Sequence, residues 1–170
     1  ILKSAGAVLG KQTVINYVGY MMDSYMLFTL QNYAAKLVEK ETSPKYYFMD
    51  TGLLGLMLMD CSSAQLENLV AIELIRRYGR ENVFYFEKNV EIDFYVPEEK
   101  LAIQVSLQVL DQIDTREREI GAFVKLKNFI GDATCLLITN SEEEELDYEG
   151  VHVSVVPVWK WLLQNRKQDI

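Results

Sequence analysis

The amino-acid sequence predicts an α/β (α+β) fold in which a mixed sheet is flanked by helices, and three kinds of segment support that prediction. Val90–Val96 and Leu101–Gln108 alternate between apolar and polar residues with the period of two that is typical of strands. An apolar stripe of helical period runs from Ser62 to Tyr78, and Gly79 marks the end of the predicted helix. Thr134–Thr139 is an apolar segment, which favours a strand in a sheet that is covered on both faces.

Residues 1–60 follow the order of elements found in the last part of a winged-helix unit. A helix that begins at Lys11 is followed by two strands, Met26–Tyr33 and Lys45–Met49, which form the predicted wing. Asp50 then caps a short helix, Gly52–Met59. We therefore predict a partial winged-helix-like segment at residues 1–60, with the apolar stripe of its first helix in the core. That stripe consists of Val14, Tyr17, Val18, Met21, Met22 and Tyr25.

Residues 61–170 form the second predicted unit, which contains the helix and the central pair of strands. After that pair, Asp114 opens a helix, and the apolar strand at 134–139 follows. An alternating strand, Val151–Val155, and a helix that starts at Pro157 complete the unit. With 170 residues, of which 49% are hydrophobic, the chain has enough apolar mass to bury a core. We place the boundary between the two predicted units at residues 60 and 61.

The two central strands predict a polar surface as well as a core surface. Pairing them around a turn at Pro97–Lys100 places Asp93 opposite Gln104 and Glu91 opposite Ser106. Directly opposed side chains lie roughly 5 Å apart, so two carboxylates, an amide and a hydroxyl meet on one face. The apolar residues of both strands then share the other face, which we interpret as core. On the first strand these are Val90, Ile92, Phe94 and Val96.

Glu67 lies near the middle of the apolar face of the helix that begins at Ser62. A buried carboxylate must find a partner, take up a proton or bind a metal, because burying a bare charge is too costly. The alternative is a glutamate near a helix end that reaches water or caps backbone N–H groups. The sequence leaves both interpretations open.

A helix with a glutamate, then a strand, a strand with an aspartate and a strand with a polar pair resembles the PD-(D/E)XK, restriction-endonuclease-like core. More closely, the chain resembles the C-terminal domain of a large family of prokaryotic AAA+ ATPases. The motifs that resemble this family are distributed along nearly the whole chain. They are Asp50–Leu53, Glu67–Val70, Glu91–Phe94, Ile103–Val105, Thr115–Glu119 and Trp159–Trp161.

The resemblance implies a degenerate nuclease site. In such nucleases the helix glutamate, the strand aspartate and an acid in the next strand hold Mg²⁺, and a lysine two residues later assists the attacking water. By position Glu67 and Asp93 match, Gln104 replaces the second acid and Ser106 replaces the lysine. Losing one such electrostatic donor costs on the order of 100- to 1000-fold in rate. We therefore expect weak Mg²⁺ or Mn²⁺ binding by Glu67, Glu91 and Asp93, with little or no cleavage.

We carry three hypotheses for the function, of which the first two follow from this resemblance. The first is a non-catalytic accessory domain of an AAA+ ATPase that binds DNA or a protein partner, and the alternative is a Mg²⁺-dependent PD-(D/E)XK nuclease. The third is an oligomeric module that dimerises through the Trp159–Leu163 helix. The sequence lacks a GxxxxGK[ST] phosphate loop, so we expect no ATP site in this chain. Because the chain begins at Ile1 without an initiator Met, we expect it to be a piece of a longer protein. The resemblance implies that an AAA+ ATPase domain precedes it.

The net charge of −8 argues against a general nucleic-acid surface, since affinity for phosphates comes from clustered lysine and arginine. A weak local patch is formed by Arg76, Arg77 and Arg80 near the end of the Glu67 helix, and by Lys11 on the first helix. The alternative is a solvated helix C-terminus, where cations are favoured. We interpret the run Glu142–Glu145 as a solvated loop.

The remaining sequence features indicate a cytoplasmic protein. Cys61 and Cys135 have no metal-ligand spacing and are interpreted as reduced thiols. The single histidine, His152, alternates with valines and is expected on the surface, which argues against a Cys–His pair or a zinc site. No signal peptide or apolar run of transmembrane length occurs in the sequence, so no membrane contact is expected.

Overall fold

The computed structural model describes residues 10–35, 43–57, 62–110 and 113–164. The helices are α1 (Lys11–Asp23), α2 (Gly52–Met57), α3 (Ser62–Tyr78), α4 (Ile113–Ile130) and α5 (Val158–Gln164), with a short 3₁₀ turn at Arg80–Asn82. The strands are β1 (Leu27–Asn32), β2 (Lys45–Phe48), β3 (Phe84–Glu87), β4 (Glu91–Val96), β5 (Leu101–Val105), β6 (Thr134–Thr139), β7 (Glu144–Tyr148) and β8 (Val151–Pro157).

These strands form an eight-stranded sheet in the order β2-β1-β3-β4-β5-β6-β8-β7. The β1–β3, β5–β6 and β6–β8 pairs are parallel, and the other neighbours are antiparallel. The predicted mixed sheet with flanking helices is therefore confirmed. The sheet also runs across the boundary placed between residues 60 and 61, because Gln31 and Asn32 of β1 pair with Phe84 and Tyr85 of β3.

A separate core lies on each face of the sheet. On one face α4 contributes Phe123, and on the other α3 and α5 contribute Leu74 and Trp161. β6 supplies both cores, since Leu137 belongs to the α4 side and Ile138 to the α3 side. The prediction that this apolar strand is covered on both faces is confirmed, and an apolar side chain on either face is removed from water.

Helix α3 has the predicted bounds, and its sequence explains them. Val70 and Leu74, on the predicted apolar face, are fully buried. The helix ends at Gly79, whose φ of +81° is a left-handed conformation that residues with a Cβ rarely adopt. The Gly79 N–H donates to the Ile75 carbonyl oxygen at 3.0 Å and so satisfies one of the last backbone acceptors of α3.

The β4–β5 hairpin has the predicted register but not the predicted faces. Phe94 pairs with Ile103. On the other side of β4, however, two residues of β3 span three residues of β4, which is a β-bulge. Ile92 consequently packs in the α4 core, while Phe94 packs in the α3 core. The prediction that these two side chains share a face is wrong, because a bulge breaks the period of two. On the hairpin's other face Tyr95 packs in the α4 core and is 5% exposed, whereas the Glu91 side chain is 57% exposed.

The apolar stripe of α1 does not lie in a core. None of the described residues of α1 is buried, and Tyr17 is 54% exposed. Tyr25, which follows the helix, is 82% exposed. The Asp50 cap is confirmed, because its Oδ1 accepts the Gly52 N–H at 2.7 Å. The predicted end of the next helix, at Met59, and the thiol of Cys61 lie outside the described residues.

The acidic run near residue 142 is structured rather than a solvated loop. The Glu142 carboxylate accepts the backbone N–H groups of Val109 at 2.6 Å and Leu110 at 3.2 Å, and it therefore fixes the segment after β5. Glu144 begins strand β7. His152 is exposed on the neighbouring strand, as predicted, between two acidic side chains of β7.

The last helix presents two different sides. Trp161 is buried, whereas Trp159 is 57% and Leu163 is 53% exposed. Among the described helices, none combines the length and apolar character that crossing a membrane requires.

Candidate functional site

The ribbon of β1 and β2 bends over one face of the sheet. In a flat sheet three strand spacings would separate β2 from β4 by about 14 Å. Instead the Lys45 Nζ lies 2.6 Å from the Glu91 Oε1 on β4. The Tyr47 and Phe94 rings are 5.6 Å apart between centroids. The bend brings the side chains of β2 to the same place as the carboxylates of β4.

At this place β4 and β5 separate, and side chains replace the backbone ladder. Regular pairing extends from the turn to Phe94 and Ile103. Beyond it the Asp93 N–H donates to the Gln104 Oε1 at 2.9 Å, and the Gln104 Nε2 donates to the Glu91 carbonyl oxygen at 3.2 Å. The predicted adjacency of Asp93 and Gln104 on antiparallel strands is confirmed.

Asp93 is held from the other strand as well. The Val105 N–H donates to its Oδ2 at 2.9 Å. Asp93 and Gln104 therefore each satisfy a backbone group that the separating strands would otherwise leave without a partner. These bonds fix both side chains, since each is tied to the strand opposite its own.

A cavity of about 410 Å³ lies where β4 and β5 separate. Its walls come from these two strands and from helices α3 and α4. Helix α3 contributes Glu67, and α4 contributes Glu119. The structure thus brings together the four site residues that the sequence selected on α3, β4 and β5, and it adds a fourth carboxylate. The acidic and amide side chains of the wall are Glu67, Glu91, Asp93, Gln104 and Glu119, and the basic ones are Arg118 and Lys125.

Lys45 reaches these carboxylates from β2. Its Nζ lies 2.6 Å from the Glu91 Oε1 and 3.7 Å from the Asp93 Oδ1, and its side chain is 26% exposed. Burial lowers the pKa of Lys45, but the hydrogen bond to Glu91 and the charges of Asp93 and Glu67 outweigh it and raise that pKa above its ordinary value. Lys45 is therefore a firmly protonated ammonium beside the cavity.

Glu67 finds a partner on β2 as well. The Tyr47 hydroxyl donates to the Glu67 Oε1 at 2.8 Å. Burial and the negative charge of Glu67 raise the pKa of Tyr47, so the hydroxyl stays protonated and keeps donating. Of the interpretations left open for Glu67, the partnered carboxylate is the one that the structure shows.

Asp93 carries the clearest electrostatic perturbation in the site. Burial and the nearby Glu67 carboxylate raise its pKa to about 7, against the opposing effects of Lys45 and the Val105 N–H. The charge of Glu119 acts in the same direction as that of Glu67. Burial, reinforced by the Glu67 charge, therefore outweighs the ammonium of Lys45 at Asp93. A carboxylate in a cavity whose pKa is perturbed by burial and by a specific charged neighbour is a candidate for a functional site.

Sequence reasoning missed Lys45, Tyr47 and Glu119. Alternation along β2 does place Lys45 and Tyr47 on one side of that strand. No local pattern shows that the ribbon bends toward β4, so the partners of these two residues could not be assigned. Glu119 lies within the quoted motif Thr115–Glu119, but nothing in its spacing shows that it faces the same cavity.

Asn68, the neighbour of Glu67, anchors the strand that carries Lys45. Its amide nitrogen donates to the Phe48 carbonyl oxygen at 3.0 Å, and its Oδ1 accepts the Phe48 N–H at 2.7 Å. Asn68 is 2% exposed, so losing either bond would leave a buried polar group without a partner. The pair Glu67–Asn68 thus positions both the carboxylate and the edge strand opposite it.

Ser106 does not take part in the site. Its hydroxyl donates to the Gln108 carbonyl oxygen at 3.2 Å. It is not among the described residues that line the cavity. The position that the resemblance assigns to a catalytic lysine therefore lies beyond the end of β5, away from the carboxylates.

As arranged here, the site residues do not fit a divalent ion. In the described part of the chain, no three aspartate, glutamate, histidine or cysteine side chains are placed to hold a metal ion. Lys45 already contacts Glu91 and Asp93, and the amide of Gln104 is used by backbone groups. The predicted set Glu67, Glu91 and Asp93 meets at one cavity, but without the geometry of a metal centre.

The predicted basic patch is engaged in contacts within the protein. The Arg76 and Arg77 side chains both pair with Glu73, at 2.7 Å in each case. Arg77 is 8% exposed, stacks over the Trp161 ring at 4.1 Å and donates to the Trp161 carbonyl oxygen. The expectation of a solvated helix C-terminus is wrong for Arg77, because α5 covers it.

The other predicted basic residues differ from each other. Arg80 donates to the backbone and the hydroxyl of Thr29 on β1, the latter at 2.7 Å. Lys11 is exposed at the start of α1. The four predicted cations are thus distributed over α1, α3 and the 3₁₀ turn. Arg76 and Arg77 of α3 form ion pairs with Glu73.

Two comparisons with known proteins match the chain. Residues 1–64 match a family described as "Domain of unknown function (DUF8612)". The chain is also similar to an uncharacterized protein of Methanocaldococcus jannaschii, MJ1544, with 32% identity over 173 residues. That match covers 96% of this chain but 39% of the relative, so the chain spans well under half of the relative's length. No solved structure matches the chain significantly.

The two matches cover different parts of the candidate site. The family match includes the ribbon and therefore Lys45 and Tyr47, but it ends before Glu67. The match to the archaeal relative covers nearly all of the chain. Neither description states an activity, so the site must be interpreted from its own geometry.

Proposed function

We propose that this chain is a non-catalytic accessory domain on a degenerate PD-(D/E)XK scaffold, working in the cytoplasm within a longer AAA+ ATPase. In this proposal it binds DNA or a protein partner rather than cleaving a substrate. The observation that supports it most strongly is the Lys45 ammonium 2.6 Å from Glu91 and 3.7 Å from Asp93. A cation supplied by the chain itself therefore faces Asp93, one of the two carboxylates that match the Mg²⁺ ligands of such a nuclease.

The state of the other site residues supports the same proposal. A metal-dependent nuclease needs oxygen ligands free to coordinate the ion and a group that assists the attacking water. Gln104 uses both ends of its amide on backbone groups, and Ser106 donates to Gln108. With two of the four nuclease positions committed elsewhere, hydrolysis would lack much of its electrostatic stabilisation.

The proposed association with an AAA+ ATPase rests on the six sequence motifs. The structure gives residues of several of these motifs local roles, of which two are examples. The motif at 67–70 supplies Glu67 to the cavity and Asn68 to the edge strand, and the motif at 115–119 supplies Glu119. The whole protein's activity and partners remain part of the proposal.

A Mg²⁺-dependent nuclease is the second candidate, and one observation favours it. Glu67, Asp93 and Gln104 all line one cavity, as they would in an active enzyme. Arg118 and Lys125 line the same cavity from α4, and they could face the phosphates of a nucleic acid. For this function an entering divalent ion would have to compete with Lys45.

DNA binding and cleavage by the purified chain distinguish these functions. Fluorescence anisotropy with single-stranded and duplex DNA, with and without Mg²⁺ or Mn²⁺, measures binding, and a gel assay of the same mixtures measures cleavage. We expect no metal-dependent cleavage, and any DNA binding should be equal in Asp93→Asn. Absence of binding to all DNA forms would favour a protein partner. Robust Mg²⁺-dependent cleavage that Asp93→Asn abolishes would overturn the non-catalytic proposal in favour of the nuclease.

A further inference from the structure

We infer that Lys45 is a built-in counter-ion, which supplies to the carboxylates the positive charge that a divalent ion supplies on the scaffold that this chain resembles. This inference rests on the proposed degenerate scaffold and explains how the scaffold dispenses with metal. Four carboxylates line the cavity, and Lys45 contacts two of them, Glu91 and Asp93.

The position of Lys45 is fixed by the strand that carries it. Two residues further along β2, Tyr47 donates to Glu67 at 2.8 Å. At the end of the strand, Phe48 exchanges two hydrogen bonds with the buried Asn68. Both contacts tie β2 to α3, so the Lys45 ammonium is held beside the carboxylates. The loss of conformational entropy that fixes this cation occurs during folding and not when a ligand binds.

A divalent ion entering the cavity would meet a specific obstacle. Mg²⁺ and Mn²⁺ take oxygen ligands, and two of the four carboxylates in the cavity, Glu91 and Asp93, already contact Lys45. Coordination would have to separate the ammonium from Glu91 and Asp93 or place two cations side by side. Either outcome is unfavourable for a half-buried lysine, because an ammonium that loses its partners cannot recover full hydration in place.

Removing the charge of Lys45 should have the opposite effect. Asp93 would keep its Glu67 and Glu119 neighbours and lose the cation that opposes their repulsion. A cluster of like charges is relieved when a cation enters or when a proton is taken up. The chain with a neutral side chain at this position should therefore bind a hard divalent ion that the natural chain binds weakly.

The test compares Mn²⁺ affinity, measured by electron paramagnetic resonance of free Mn²⁺, across matched variants. Lys45→Met should lower the Kd for Mn²⁺ at least tenfold relative to the natural chain. Lys127→Met is the matched control, because it removes the same charge from an ion pair with Asp132 at 2.9 Å that lines a different cavity. Its Mn²⁺ affinity should remain within twofold of the natural chain.

Two further variants keep the test decisive. Lys45→Gln removes the charge but keeps a hydrogen-bond donor for Glu91. The effect of a neutral side chain on Mn²⁺ affinity can therefore be measured even if Lys45→Met does not fold. Lys45→Met combined with Asp93→Asn should lose the gained affinity. If neither neutral variant binds Mn²⁺ more tightly than the Lys127→Met control, the counter-ion role of Lys45 is refuted.

The cleavage assay on the same samples separates this inference from the proposed function. Tighter Mn²⁺ binding by Lys45→Met without DNA cleavage would support both. Metal-dependent cleavage by the natural chain would overturn the non-catalytic function, whereas the role of Lys45 is judged on Mn²⁺ affinity alone.

Discussion

Helix α3 carries two charged clusters, which differ in the balance of positive and negative groups. Near its C-terminal end Glu73 pairs with Arg76 and Arg77, so one carboxylate meets two guanidinium groups. Near its N-terminal end Glu67 faces Asp93, and Lys45 is the ammonium placed beside them. The first cluster has more positive than negative charge, and the second has the reverse.

The pKa values of the two clusters also move in opposite directions. The hydrogen bond from Arg76, with further support from Arg77, lowers the pKa of Glu73 below its ordinary value despite burial. Burial and the Glu67 charge raise the pKa of Asp93 to about 7. A fold that only needed stability would favour the first arrangement, so the second is the better candidate for function.

The structural cluster should contribute the larger share of stability. Arg77→Met removes a guanidinium that bonds Glu73 and the Trp161 carbonyl oxygen, and we expect it to lower the free energy of unfolding by about 2–4 kcal/mol. Urea unfolding measures this value. Arg118→Met is the control, since its side chain is 74% exposed beside Glu119 and its loss should cost under about 1 kcal/mol. If both variants lower the free energy of unfolding equally, the Glu73 cluster does not have the structural role assigned to it.

The Asp93 cluster should show itself through the pH dependence of the free energy of unfolding. A raised pKa means that the folded chain binds more protons at Asp93 than the unfolded chain between about pH 4 and pH 7, so ionisation lowers stability as the pH rises through that window. Asp93→Asn keeps an acceptor for the Val105 N–H and does not ionise. Its stability relative to the natural chain should therefore rise by about 1–3 kcal/mol between pH 4.5 and pH 8.

Urea unfolding at the two pH values measures this change, and the charged groups around Asp93 determine its size. They are Glu67 on α3, Lys45 on β2, Glu91 on β4 and Glu119 on α4. Asp132→Asn is the matched control, because its pKa is lowered by Lys127 and its removal gives no such rise. A difference between Asp93→Asn and the natural chain that does not change with pH would contradict the assigned imbalance.

The parts of the fold that local patterns determine could be predicted from the sequence. The bounds of α3 follow from its apolar period and from Gly79, and the β4–β5 register follows from matching polar residues around the turn. The adjacency of Asp93 and Gln104 follows from that register. Each of these features depends on residues that are near each other in the chain or on directly paired strands.

The parts that depend on distant contacts could not be predicted. A bulge in β4 places Ile92 in the α4 core, although alternation assigns it to the face of Phe94. The bend of the ribbon brings Lys45 to Glu91 across three strand positions. The apolar stripe of α1 has the pattern of a core helix, yet its described residues are not buried. Hydrophobic period alone does not show whether a partner surface is present.

A carboxyl-detected NMR titration tests the central contrast most directly, because it measures both clusters in one sample. The side-chain carboxyl carbons of Asp93 and Glu73 are followed from pH 2.5 to pH 9 in the natural chain. We expect Asp93 to titrate near pH 7, well above the ordinary value of 3.8 for aspartate, and Glu73 to titrate below its ordinary 4.5. An Asp93 midpoint at its ordinary value would contradict the raised pKa that is assigned here to burial and the Glu67 charge.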